Sequence, residues 1–249
     1  MNEILLPGER MDDLQRNGLF IIQNESGFRF GMDAVLLSDF ARVRPREHIV
    51  DMGTGTGILP ILMSIQREDT RFDAFEIQPQ MADMASRSVQ YNHLEHRIRI
   101  HAVDMRQAAK VIGYECADLV TCNPPYGKRG ATLKNPNESV QIARHEDELT
   151  IDSWVESCAA VLRNQGRLCM VFPAQRMLEL MDAYRHFRIE PKRIRLVCAK
   201  VDRAPYLVML EGMKNAKPAL LWMPPLVVYD EQGNETPEMD RIYHKGEFA

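Results

Sequence analysis

Ile49-Val50-Asp51-Met52-Gly53-Thr54-Gly55-Thr56-Gly57-Ile58-Leu59-Pro60-Ile61 passes from an apolar, β-branched run through three alternate glycines into a second apolar run with helical spacing. The glycines let the backbone turn tightly and approach a ligand with no Cβ in the way. Pro60 is tolerated because the first turn of a helix does not need its N–H. A glycine-rich turn alone is a weak signal, but its place between a strand and a helix strengthens it. Working outward, strands are predicted at 47–51, 72–76, 98–102, 117–121 and 166–172, with helices at 57–66, 79–92, near 105–112, 151–163 and 174–187. Such alternation predicts an α/β fold with a doubly wound, mostly parallel sheet and helices on both faces. Two further β-rich runs, 193–199 and 205–212, complete seven strands and are expected to pair as a hairpin that adds an antiparallel edge strand.

At the end of the fourth predicted strand stands Asn123-Pro124-Pro125-Tyr126. Two consecutive prolines cannot continue a helix or a central strand, since each lacks an N–H and has a fixed φ. The chain must leave the sheet in a rigid turn, presenting an Asn amide and a Tyr ring. The carboxyl end of a strand in an open α/β sheet is where ligands bind.

Glu76 closes the second strand, 25 residues after Asp51. An acid there can accept hydrogen bonds from both hydroxyls of a ribose, which suits NAD and S-adenosylmethionine equally. The glycines are spaced Gly-x-Gly-x-Gly rather than in the dinucleotide pattern, which favours the latter. Asp104, after the third strand, is placed to accept from an adenine amino group or to cap the helix that follows.

The chain has 249 residues and a net charge of −4, within the range of one α/β domain. No apolar run approaches the ~20 residues a membrane helix needs. The start lacks the basic and apolar regions of a signal peptide. Five scattered cysteines without a Cys-x-x-Cys pair suit a reducing cytoplasm and argue against a metal site. His93 and His96 lie among polar residues and are not read as ligands. Between Arg176 and Lys217, ten basic residues face five acidic ones. That stripe is either a local phosphate-binding surface or a solvated face of mixed charge.

An N-terminal unit, 1–44, is expected to hold a hairpin over 19–30, turning at Asn24-Glu25-Ser26-Gly27, and a helix for which Asp33 is the N-cap or a first-turn residue. A loop at 127–149 is long enough to be functional. The segment 45–229 forms the main domain, and the polar tail 230–249 is expected to be loose.

Together the glycine turn, Glu76, Asp104 and Asn123-Pro124-Pro125-Tyr126 resemble the class I S-adenosylmethionine-dependent methyltransferases over roughly 28–212. Within them the tetrapeptide marks amino-methyltransferases acting on adenine N6, guanine N2 or a release-factor glutamine. The sequence is most similar to the bacterial enzymes that methylate adenine N6 beside the anticodon of a valine tRNA. It shares with them the short N-terminal element with Phe30-Gly31-Met32-Asp33, the lack of a large recognition insertion, and Ala143-Arg144-His145-Glu146 after the loop. The resemblance implies catalysis by Asn123, Pro124, Pro125 and Tyr126. It implies cofactor contacts from Met32, Asp33, Asp51, Gly53, Thr54, Gly55, Gly57, Glu76, Ile77, Asp104, Met105 and Asn123. Lys128, Arg129, Lys134, Arg144 and His145 would hold the RNA. No metal is implied, and the oligomeric state is left open.

Overall fold

The computed structural model describes residues 4–25, 31–125 and 150–243. β1 (Glu9–Asp13) and β2 (Phe20–Asn24) form an antiparallel hairpin. This corrects the expected register: β2 pairs upstream, and the turn runs through 14–19, where Gln15, Asn17 and Gly18 take positive φ. Gly18 supplies one of these left-handed positions at no steric cost. The expected second arm, 28–30, lies outside the described residues.

The outer edge of β2 is satisfied by a helix, α3 (Pro79–Tyr91), and its cap. The Phe20 N–H donates to Asn92 Oδ1 at 2.9 Å and the Ile22 N–H to Ser88 Oγ at 2.9 Å. The Arg87 guanidinium donates to both Glu9 oxygens at 2.6 and 2.7 Å. A strand edge that would otherwise expose unpaired backbone is thus closed by side chains.

The main sheet contains β3 (His48–Met52), β4 (Arg71–Phe75), β5 (Ile98–His101), β6 (Ala117–Cys122), β7 (Leu162–Pro173), β8 (Ile189–Cys198) and β9 (Pro205–Lys214). These are the seven strands expected. Two short strands, β10 (Leu221–Trp222) and β11 (Leu226–Val227), extend it to nine by pairing with β8. The order is β10-β8-β9-β7-β6-β3-β4-β5. β3 to β7 are parallel, and β9 runs antiparallel between β7 and β8. The antiparallel strand is therefore internal rather than at the edge, because β8 crosses beyond it before the chain turns back.

Two cores flank the sheet. On one face α1 (Met32–Phe40), α2 (Ile58–Ser64) and α3 bury Leu36, Leu37, Ile61 and Val89 against Ile49 and Phe72. On the other, α4 (Ala108–Ile112), α5 (Ile151–Val161) and α6 (Met177–His186) bury Ala108, Val155 and Tyr184 against Val50 and Phe75. The described part of the tail, 230–243, is not loose: α7 (Pro237–Ile242) drives Met239 and Ile242 into the first core. Arg195 pairs with Glu238 at 2.7 Å. Two apolar residues three apart dock a segment whose composition reads as polar.

Beneath α1 lies a buried ionic network. Arg167 pairs with Glu47 at 2.8 Å and with Glu211 at 3.2 Å, and Arg193 reaches the same Glu211 at 3.1 Å. The Arg193 guanidinium also lies 4.2 Å from the Phe40 ring centre.

Candidate functional site

Chain direction across the sheet reverses between β3 and β6: β4 and β5 lie on one side, β7 on the other. Met52 is paired with Cys122, so Gly53 and Asn123 leave the sheet side by side. Neighbouring strands stand ~4.8 Å apart, so the two turns open into one crevice. The Thr121 hydroxyl donates to Asp51 Oδ1 at 2.6 Å, tying the two strand ends together. Asp51 is 1% exposed. Burial pushes its carboxyl up to about 6, against the Thr121 hydroxyl that donates to it and the dipole of the nearby Thr54 hydroxyl, while the charge of Glu76 adds to the rise. Asp51 Oδ2 and Thr54 Oγ1 are buried without a hydrogen-bond partner.

The turn is anchored from below, where the N–H groups of Gly53 and Thr54 both donate to the Phe75 carbonyl at 2.9 Å. Gly53 has φ +72°, and a Cβ there would lie 2.8 Å from the Trp154 ring. Gly57 has φ +87°, and a Cβ would stand 3.2 Å from Ala85 Cβ. Both are glycine because the backbone is left-handed and a neighbour is close. At Gly55 a Cβ would meet nothing within 4 Å, so the middle of the turn faces open space. Glu76 Oε2 accepts from the Gly55 N–H at 2.9 Å and Oε1 from the Gln78 N–H at 2.8 Å. Burial raises the Glu76 carboxyl, opposed by those backbone donors. Each of its oxygens keeps further lone-pair capacity for a hydroxyl.

These features fit S-adenosylmethionine. The unpartnered Asp51 Oδ2 suits a cationic ammonium group, the open turn at Gly55 suits close approach, and Glu76 suits a ribose diol. Ile77, beside Glu76, is 39% exposed and offers apolar surface to a ring. Asp104 caps a 3-10 turn, Met105–Gln107, accepting from the Arg106 N–H at 2.8 Å and from its guanidinium at 2.6 Å. Met105 is buried against the core that holds Phe75. Met32 and Asp33 occupy the first turn of α1, after Gly31 as N-cap, and Asp33 Oδ1 accepts from the Ala34 N–H at 3.0 Å.

Asn123 is half-buried at the crevice, Pro124 is buried and Pro125 exposed. Tyr126, Lys128, Arg129, Lys134, Arg144 and His145 lie outside the described residues. The basic stripe of 176–217 is not continuous. Arg193 and Arg195 are spent on Glu211 and Glu238, Lys214 on Glu115 at 2.9 Å, and Arg176 on Glu179 at 2.8 Å.

Three residues escaped the sequence reading. Thr121 alternates with core positions on β6 and carries no motif. Trp154, in the first turn of α5, props the glycine turn from 31 residues beyond Asn123. Tyr206 opens β9 at the carboxyl edge, and its hydroxyl meets Met32 Sδ at 3.8 Å. Only an aromatic near the start of a helix or strand hinted at the last two. No helix among the described residues is long and apolar enough to cross a membrane.

The family model of the methyltransferase small domain matches residues 31–188. A tRNA1(Val) (adenine(37)-N6)-methyltransferase from Tolumonas auensis is 31% identical, covering 80% of this chain and 81% of its own. One of the same name from Haemophilus influenzae is 29% identical, covering 87% and 90%. Among solved structures, a predicted O-methyltransferase from Agrobacterium tumefaciens superposes with a TM-score of 0.70 at 21% identity, covering 86% of this chain and 96% of its own. P. horikoshii TYW2, solved in complex with MeSAdo, superposes at 0.55 with 15% identity, covering 81% and 70%. These two likenesses speak for the fold. With the family model matched over 31–188 and a relative 31% identical over most of both chains, the chain belongs to the methyltransferase small domain family and is an S-adenosylmethionine-dependent methyltransferase.

Proposed function

We propose that the protein methylates the exocyclic N6 amine of an adenosine in tRNA, beside the anticodon. The observation that carries this is the placement of Asn123-Pro124-Pro125 at the reversal point of the sheet, next to the turn bearing Asp51. The names of the relatives from Tolumonas, Haemophilus and Porphyromonas gingivalis support the same substrate.

S-adenosylmethionine supplies an electrophilic methyl group on a sulfonium. The adenine amine is a poor nucleophile because its lone pair is delocalised into the ring. The Asn123 side-chain oxygen and the Pro124 carbonyl accept its two N–H groups and turn the lone pair out of conjugation. The same acceptors stabilise the positive charge that develops on nitrogen, as fixed dipoles needing no reorganisation. Holding the amine in line with the methyl carbon supplies the proximity contribution. No general base is needed before transfer, since the methylated ammonium then loses its proton readily.

Tyr126 stacks on the base, a contact worth ~1–3 kcal/mol. The base leaves its stack to enter the crevice, which is easiest in an unpaired loop. Asp51 and Met32-Asp33 serve the methionine end, Glu76 and Ile77 the ribose and ring, and Asp104-Met105 the adenine end of the cofactor. Lys128, Arg129, Lys134, Arg144 and His145 hold flanking phosphates. Residues 1–44 cover the cofactor, 45–229 carry the catalysis, and the reaction belongs in the cytoplasm without a metal.

The test is incubation with methyl-labelled cofactor and unmodified total tRNA, followed by nucleoside analysis. Label in N6-methyladenosine is expected. Label absent from tRNA but present in ribosomal RNA or in a release factor would overturn the tRNA assignment.

A further inference from the structure

We infer that the tip of the β8–β9 hairpin, with Tyr206, is a second RNA-binding element that holds nucleotides flanking the target. This rests on the RNA reading above. The register puts the hairpin in the right place. Cys122, the last residue of β6, pairs with Met170, whereas β7 continues to Pro173, which pairs with Leu207 of β9. Past the level at which β6 ends, β7 and β9 therefore rise three more residues, ~10 Å at ~3.3 Å per residue. β9 stands two strands from β6, another ~10 Å sideways. The hairpin is a wall along one side of the crevice that Asn123 enters.

The chemistry of the wall suits a single-stranded nucleic acid. Val201 is 77% and Tyr206 37% exposed, an apolar and an aromatic residue at a position where hairpin tips are ordinarily polar. The Tyr206 hydroxyl also meets Met32 Sδ in the first turn of α1 at 3.8 Å, which restrains the ring before a base arrives. Lys200 and Arg203 precede Tyr206 in the same hairpin tip. Among the described residues, Lys200 Nζ reaches the Glu231 carbonyl at 3.4 Å, and Arg203 lies 3.9 Å from an equally exposed Asp202. Arg193, Arg195 and Lys214, on the same hairpin, are by contrast anchored internally. An aromatic face sharing a hairpin tip with two solvated cations is a stacking platform with phosphate contacts.

The experiment measures binding of an unmodified tRNA transcript across a salt series, alongside calorimetric binding of S-adenosylmethionine. Lys200→Ala with Arg203→Ala should lower the slope of log K against log salt by about 1.4 to 1.8, two phosphates' worth. Tyr206→Ala should weaken tRNA binding ~10-fold, while Tyr206→Phe, which keeps the ring, stays near the unaltered protein. Cofactor affinity should be retained in all three. Unchanged tRNA affinity and salt slope would overturn the inference. So would a Tyr206→Ala loss matched by an equal loss of cofactor affinity, which would make the residue a support for Met32. If the unaltered protein neither binds nor methylates tRNA, the substrate reading itself fails, a result distinct from failure of the wall alone.

Discussion

Replacing Asp51 by asparagine should stabilise the free protein at neutral pH while weakening its hold on the cofactor. The carboxyl is fully buried and its pKa is raised from 3.8 to about 6. In the unfolded chain it ionises near 3.8, so between pH 4 and 6 the folded state binds the extra proton, and stability falls as pH rises through that window. The span corresponds to about 3 kcal/mol at pH 7, at 1.36 kcal/mol per pH unit. Asparagine has the same shape and no charge to desolvate. Its Oδ1 still accepts from the Thr121 hydroxyl, and its Nδ2 can donate to Thr54 Oγ1, which has no partner in the native protein. Urea unfolding of both proteins from pH 4 to pH 7 reads the difference directly. The variant's advantage should be near zero at pH 4 and grow to about 3 kcal/mol at pH 7. A variant less stable than the native protein at pH 7, or a difference that does not change with pH, would refute the reasoning. Calorimetry supplies the other half. Losing a charge-assisted hydrogen bond worth ~1.5–3 kcal/mol should cost ~10- to 150-fold in cofactor affinity. Asp51 would then be a site where stability is given up for binding.

Asn123→Ala should reduce methyl transfer ~100-fold or more, the scale for removing a preorganised transition-state partner, while cofactor binding survives; parallel loss of both would make Asn123 structural. Glu211→Ala strips the shared partner of Arg167 and Arg193, and leaving buried guanidinium charge uncompensated should cost ~3–5 kcal/mol in denaturant unfolding. A change under ~1 kcal/mol, the scale of an exposed pair, would show the network is solvated. Met239→Ala should cost ~2–5 kcal/mol, because its side chain is fully buried against the first core. An unaltered unfolding curve there would mean that α7 does not dock in solution.

The turns that line the candidate site were legible because their signals are local. Alternate glycines between a strand and a helix, a double proline after a strand, and an acid at the next strand end each reflect backbone geometry encoded within a few residues. Asp104 was read as either an adenine contact or a cap, and in the structure it caps its own turn with Arg106. The hairpin was misplaced because two turn signals, Asn17-Gly18 and Asn24–Gly27, compete, and only packing on Ser88 and Asn92 of the α3 segment shows which one β2 uses. The basic stripe stayed open between two readings for a related reason: a count of charges cannot say which are spent on Glu211, Glu238 and Glu115 and which, like Lys200 and Arg203, face solvent.

The sequence by itself determined the α/β alternation, the seven main strands, the glycine turn after β3 and the double-proline turn after β6, since periodicity, glycine and proline constrain the chain wherever they occur. Tertiary structure decided what depends on residues far apart in the chain. Thr121 binds Asp51 across 70 positions. Trp154 closes over Gly53, the tail helix completes the first core, and β7 and β9 outrun β6 to raise a wall beside the crevice. Such pairings follow from strand order and register, which are set by how whole faces bury together rather than by any short stretch of residues.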